Sequence, residues 1–173
     1  MREYSSAARH ATTSSGCVKW FETSLGAADG SVQTLQARHT IVATGAHARA
    51  LPMLPFDGDR VWSYRDALAT RARPASLLVI GAGAIGMEFA SFYATLGTQV
   101  TVVEAQARVL PAGDADVSAF VAKAVERDGI RLRTRARLDS ARVGPEGVQV
   151  VLLTAAGRET LQAERVLVAV GLA

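Results

Sequence analysis

The sequence predicts an α/β fold in which a parallel β-sheet is joined to a three-stranded antiparallel β-meander. Three observations carry this reading. Leu77-Leu78-Val79-Ile80 has no polar side chain, as a strand covered on both faces requires. It passes directly into Gly81-Ala82-Gly83-Ala84-Ile85-Gly86, then into a stretch with apolar residues at helical spacing. Further on, β-type segments are separated by Gly144-Pro145-Glu146-Gly147 and by Ala156-Gly157, the punctuation of an antiparallel meander.

The elements follow in order. Met1 to Gly16 is rich in Ser, Thr and Ala and lacks the roughly 7–15-residue apolar core of a secretory signal. It reads as a disordered leader; Arg2 and Arg9 among hydroxyl residues leave a transit segment as the alternative. Cys17 to Thr23 and Ser31 to Arg38 flank a Gly26 to Gly30 turn and read as a hairpin. Thr40 to Gly45 is a buried-type strand stopped by glycine, and Ala46 to Asp59, with Pro52, Pro55 and Gly58, is a linker. Ser63, with Asp66 three residues on, caps a short helix through Leu68.

After the strand at Leu77, the next helix should bury Ile85, Phe89, Phe92, Tyr93 and Leu96 and stop at Gly97. Val100 to Val103 form a second strand ending at Glu104. Asp114 opens a helix with the apolar face Val117, Phe120, Val121, Ala124 and Val125, closed by Gly129. Ile130 and Leu132 alternate with Arg131 and Arg133 in a third strand. Leu138 to Val143, Val148 to Thr154 and Glu159 to Gln162 make the meander, and Val166 to Val170 is a last buried strand before Gly171.

Composition bounds the function. Of 173 residues, 49% are hydrophobic and 20% charged, which argues against intrinsic disorder. No apolar stretch reaches the roughly 18 residues of a membrane span. The net charge of +3 comes without a basic run, so neither nucleic acid nor a membrane is expected as a partner. Cys17 is the single cysteine, which rules out an internal disulfide framework and a multi-cysteine metal site. A cytoplasmic setting with Cys17 as a free thiol is the expectation.

The glycine-rich turn gains weight from its context. It follows a buried strand, opens a helix, and is followed 21 positions after Gly83 by an acid, Glu104, at the end of the next strand. Those are the conditions of the dinucleotide fingerprint of a Rossmann-like sheet. Gly81 allows the sharp turn, Gly83 lets the backbone approach a pyrophosphate, and Gly86 lets the helix pack closely. The first amides of the helix then face the phosphates. Glu104 can accept hydrogen bonds from ribose hydroxyls and would repel a 2′-phosphate, which favours NAD over NADP. Arg108 reads as solvated or structural. The bland alternative is a glycine-rich turn that binds nothing.

Ala37 to Gly45 echoes Ala163 to Gly171, with Ala, Val, Ala and Gly identities at equal spacing. Gly171 closes a unit that opens at Leu77, and Gly45 would close a preceding one whose own glycine turn does not occur in residues 1–36. The expected organisation is a leader over 1–16, a remnant of one dinucleotide domain over 17–50, and a nearly complete second domain over 51–173. With part of their sheet missing, residues 1–45 should be poorly ordered or cover another surface through an exposed edge.

The strand ending Ala43-Thr44-Gly45, then LLVIGAGAIGMEFAS from Leu77, Thr101-Val102-Val103-Glu104, Arg108-Val109-Leu110-Pro111 and the strand ending at Gly171 together resemble the flavin-dependent pyridine nucleotide–disulfide oxidoreductases. Trp62 to Leu68 and Glu88 to Ser91 resemble the dihydrolipoamide dehydrogenase branch most. The resemblance implies that Gly81, Ala82, Gly83, Ala84, Ile85, Gly86, Met87 and Glu88 line the pyrophosphate and nicotinamide side of NAD. Glu104 would hold the ribose, Leu138 would pack near the adenine, and Gly171 would touch NAD at the end of its strand. Glu88, taken to lie in the first helical turn, would point at the nicotinamide.

By the same resemblance Thr44, Gly45 and Ala46 would touch FAD, making the first piece an incomplete part of an FAD-binding domain. Full-length relatives are homodimers, and a 2-oxo acid dehydrogenase complex is the implied assembly. The sequence departs from the family in several places. The family's C-x-x-x-x-C redox pair has no counterpart beside Cys17, and Leu172 stands where many relatives have arginine. The family's catalytic His–Glu pair belongs to a dimerisation domain beyond Ala173, so His10, His39 and His47 are not that base. No catalytic or metal-binding residue is therefore assigned. The expectation is the NAD-binding portion of such an oxidoreductase, incomplete for catalysis alone. The alternatives are a non-catalytic NAD-binding module or inert truncation product, and a different NAD dehydrogenase.

Overall fold

The computed structural model describes residues 5–10, 21–26, 29–39, 41 and 45–172. Two compact units divide at Gly45/Ala46, earlier than the boundary after residue 50 that the sequence suggested.

In the first unit, β1 (Ser5–His10), β2 (Phe21–Gly26) and β3 (Val32–Ala37) form an antiparallel sheet in the order β1-β2-β3. β2 and β3 are the expected hairpin, with Phe21 opposite Ala37 and Gly26 opposite Val32. β1 is a correction to the leader reading of residues 1–16, because Ser5 to His10 pair along the other edge of β2. Its hydroxyl-rich sequence carries no apolar alternation, and backbone pairing to an open strand edge needs none. The strand expected over Thr40 to Gly45 falls mostly outside the described residues. Ile41, which is described, is 91% exposed and not buried as expected.

The second unit has three layers. Its parallel sheet comprises β4 (Val61–Trp62), β5 (Ser76–Ile80), β6 (Gln99–Val103), β7 (Arg131–Arg133) and β11 (Arg165–Val168), in the order β4-β11-β5-β6-β7. Helices α1 (Tyr64–Ala69), α2 (Ala84–Thr95) and α3 (Ala115–Arg127) connect these strands. Strands β8 (Arg137–Gly144), β9 (Gly147–Thr154) and β10 (Gly157–Ala163) form the antiparallel meander.

Alternation along the strands divides the core. Leu77, Val79, Val100, Val102 and Leu167 join Met87, Ala90 and Tyr93 of α2 in one apolar cluster. Leu78, Ile80, Val103, Val166 and Val168 meet Val148, Val150 and Leu152 of β9 in the other. This is why the β5 run carries no polar residue. α1 is capped as expected, its Asp66 carboxylate accepting from the Ser63 amide and hydroxyl, both at 2.7 Å.

Both long helices bury only part of the face their large apolar residues mark: Tyr93 and Val125 are buried as expected, and Phe89 and Val121 pack against the core. α2 buries Gly86, Met87, Ala90 and Tyr93. Phe92 is 55% exposed and Leu96 50% exposed, while Ile85 and Phe89 are half-buried. The small residues Gly86 and Ala90 bring the helix axis close to the sheet, and Phe92 and Leu96 are left on its exposed flank. α3 buries Ser118 and Val125, with Phe120 73% exposed and Val117 also outward. Ser118 turns inward because its hydroxyl donates to the Val109 carbonyl. β11 ends at Val168 and not Val170, and the Ala169 amide still donates to the Ile80 carbonyl at 2.8 Å.

Candidate functional site

The end of β5 sets the geometry of the glycine turn. Gly81 has φ +105°, and its amide donates to the Val103 carbonyl at 2.8 Å. A β-carbon at Gly81 would lie 2.5 Å from the Ala169 carbonyl oxygen, and one at Gly86 would lie 2.0 Å from the Gly81 carbonyl oxygen. Both positions are closed by the protein itself. Gly83 differs: φ −72°, ψ −178° is extended backbone open to any residue. A β-carbon there would meet no atom within 4 Å. The fold does not require glycine at 83, and the space beside it is a cradle that a side chain would fill.

That space belongs to a cleft of about 620 Å³ at the carboxyl ends of β5 and β6, within the usual size range of small-molecule sites. The chain leaves β5 toward β6 on one side and returns as β11 on the other, so the cleft lies at a topological switch point. Gly83 is the N-cap of α2 and has no side chain to cap it, and the first turn contains no acid. Ala84 and Ile85 line the cleft, and as the first residues of α2 their amides have no acceptor four residues back within the helix. They form an uncompensated positive end suited to an anion.

Glu104 follows β6 and is 8% exposed at the cleft wall. Its Oε2 accepts from the Ala82 amide and its Oε1 from the Gln106 amide, each at 2.8 Å. A carboxylate offers about four acceptor positions, so both oxygens retain capacity for a hydroxyl donor. We expect Glu104→Gln to lower stability by about 1.5–3 kcal/mol, because an amide NH₂ would then face a backbone N–H. Urea unfolding measures this; an unchanged midpoint would show that the two bonds contribute little. Arg108 is structural, with Nη2 donating to the Pro111 and Gly113 carbonyls at 3.3 and 3.2 Å. Leu110, at φ +47°, donates its amide to the Ala82 carbonyl at 2.7 Å and ties this loop to the glycine turn.

Of the residues singled out for the dinucleotide, Gly81, Gly83, Ala84, Ile85, Glu104, Leu138 and Gly171 line the cleft. Ala82, Gly86 and Met87 are buried, and Met87 packs in the core on the helix side of the sheet. The placement of Glu88 in the first helical turn is corrected: α2 starts at Ala84, so Glu88 is its fifth residue, and it is exposed. It does not line the cleft. Thr44 lies outside the described residues, while Gly45 and Ala46 are exposed.

Several lining residues carried no sequence signal. Leu51 and Met53 come from the segment read as a linker. It is held by the Ala48–Leu172 bridge and by the Arg49 amide donating to the Gly171 carbonyl at 3.1 Å. Gln106 and Arg137 line the same cleft.

The family model described as pyridine nucleotide-disulphide oxidoreductase matches residues 7–173. The chain belongs to this family. Similar members of the pyridine nucleotide-disulphide oxidoreductases include the dihydrolipoyl dehydrogenase of Zymomonas mobilis, 47% identical over 132 residues, which are 76% of this chain and 28% of that protein. The dihydrolipoyl dehydrogenase of Rhizobium etli is 41% identical over 139 residues, 80% of this chain and 29% of that protein. The crystal structure of LpdA from Mycobacterium tuberculosis superposes with a TM-score of 0.74 at 33% identity, covering 96% of this chain and 35% of that one. The chain thus spans under a third of the length of these two curated relatives. Its five-stranded parallel sheet with a three-stranded antiparallel sheet matches the α/β fold of LpdA, as the sequence predicted.

Proposed function

We propose that this chain is the NAD-binding portion of a flavin-dependent oxidoreductase of the dihydrolipoyl dehydrogenase type. The observation that carries the reading is the asymmetry of the glycine turn: Gly81 and Gly86 are closed by backbone atoms, whereas Gly83 opens on a cleft. A glycine kept where the fold leaves free space is accounted for by a ligand whose atoms approach the backbone there.

In this reading the Gly83–Ile85 end of α2 receives the pyrophosphate, Glu104 accepts from the adenosine ribose, and Leu138 packs against the adenine. Gly171 borders the opposite wall. Bound NAD supplies hydride acceptance from reduced flavin; the residues described above bind and orient it. The FAD contacts at Thr44, Gly45 and Ala46 are supported by the family resemblance alone.

A second reading, binding without catalysis, is favoured by the single cysteine of the 173 residues, which leaves this polypeptide without a dithiol pair. Titration of the purified 173-residue chain with NADH tests both. We expect micromolar binding without lipoamide-dependent NAD reduction. No heat or fluorescence change up to millimolar NADH would overturn the dinucleotide reading. A yellow protein that reduces NAD with dihydrolipoamide would contradict catalytic incompleteness.

A further inference from the structure

We infer that Arg137 is a specificity-determining residue at the adenosine end of the cleft, a cation that offsets Glu104 and receives the additional phosphate of NADP(H). The inference rests on the dinucleotide reading above. It begins with two backbone hydrogen bonds, Arg135 N–H to Gln106 O at 2.8 Å and Ala136 N–H to Glu104 O at 3.0 Å. They lash the approach to β8 along the segment that follows β6. Arg137, the first residue of β8, is thereby delivered to the end of the cleft where Glu104 and Gln106 also form the wall.

Two nearby arginines and a nearby aspartate are committed. Arg108 is held by the Pro111 and Gly113 carbonyls, and Arg133 by Glu159 at 2.9 Å. Asp139, two residues along β8, pairs with Arg158 at 3.1 Å. Both Glu104 oxygens already accept from backbone amides. Among the described residues, Arg137 is the only cation lining the cleft, it is exposed, and it makes no ion pair.

The pyrophosphate of either dinucleotide belongs at the Gly83–Ile85 end, so it does not answer this charge. A phosphate on the adenosine ribose would, because a guanidinium fork matches phosphate oxygens in a bidentate manner. Glu104 alone predicts strict rejection of that phosphate. Glu104 beside an unpaired arginine predicts tolerance.

The test is the affinity of the full 173-residue chain for NADH and for NADPH, compared between wild type, Arg137→Ala and Arg137→Lys. Thermal unfolding confirms that each variant is folded. We expect wild type to bind both, Arg137→Ala to weaken NADPH by about 10-fold or more while changing NADH by less than about 3-fold, and Arg137→Lys to recover part of the loss. Added salt should weaken NADPH more than NADH in wild type, and this excess should disappear in Arg137→Ala. A wild type that binds NADH and rejects NADPH overturns the inference alone. So does an NADH-to-NADPH ratio unchanged by Arg137→Ala. Failure of wild type to bind either dinucleotide overturns the NAD reading together with it.

Discussion

Gly83→Val is expected to weaken dinucleotide binding by roughly 10–100-fold while leaving the fold in place. The backbone at Gly83 already has the extended conformation that a valine prefers, and its β-carbon direction is empty to 4 Å. The structural cost is limited to exchanging one uncapped N-cap for another, at most about 1 kcal/mol. The functional cost is larger. The isopropyl group would fill the open space beside Gly83, where the cleft meets the first turn of α2. Losing one charge-assisted hydrogen bond costs about 1.5–3 kcal/mol, which corresponds to roughly 10–100-fold in affinity. Calorimetric titration with NADH, beside a urea melt of the same preparation, separates the two effects. A variant that binds NADH like wild type would mean that no ligand approaches Gly83, and the proposed site would fail with it.

Gly86→Ala should behave in the opposite way, losing stability first. The added methyl would sit 2.0 Å from the Gly81 carbonyl oxygen and 3.4 Å from the Ala169 side chain. The first obstacle is backbone and cannot swing aside. Either α2 lifts from the sheet or the turn after β5 moves, and both disturb the packing of Met87 and Ala90. Overpacking of this kind costs about 1–3 kcal/mol. At that size the melting temperature should fall by about 5 °C or more. Binding should weaken as well, because the turn that carries Gly83 is the element displaced. An unchanged melting temperature would show that the turn relaxes without cost and that the close approach of helix and sheet is not a constraint.

The pair also shows what the sequence could and could not reveal. The glycine spacing, the β5 run and the acid at Glu104 are local signals, and local signals placed the turn, the sheet and part of the cleft wall. The helix faces were legible only in part: Tyr93 and Val125 are buried as expected, but apolar periodicity marks bulk and did not show that α2 also meets the sheet through Gly86 and Ala90 while Phe92 and Leu96 stay exposed. Glu88 was misplaced by the same local counting. Where a helix begins depends on its cap, and here that cap is Gly83 itself. Arg137, Leu51 and Met53 were invisible for a different reason. Their place on the cleft is set by pairings between distant segments, Ala136 with Glu104 and Ala48 with Leu172. β1 was missed because pairing to a strand edge needs backbone, not pattern.

The position of β11 has a consequence for the order of assembly. It comes last in sequence of the five strands of this sheet, yet it sits between β4 and β5, with Val166 beside Val61 and Leu78. Until that segment leaves the ribosome, the polypeptide holds an unfilled slot flanked by bare hydrogen-bonding groups and by the apolar side chains of β5. Such a vacancy makes the partly synthesised chain sticky, lengthens the search for non-local partners, and gives chaperones a reason to attend its birth.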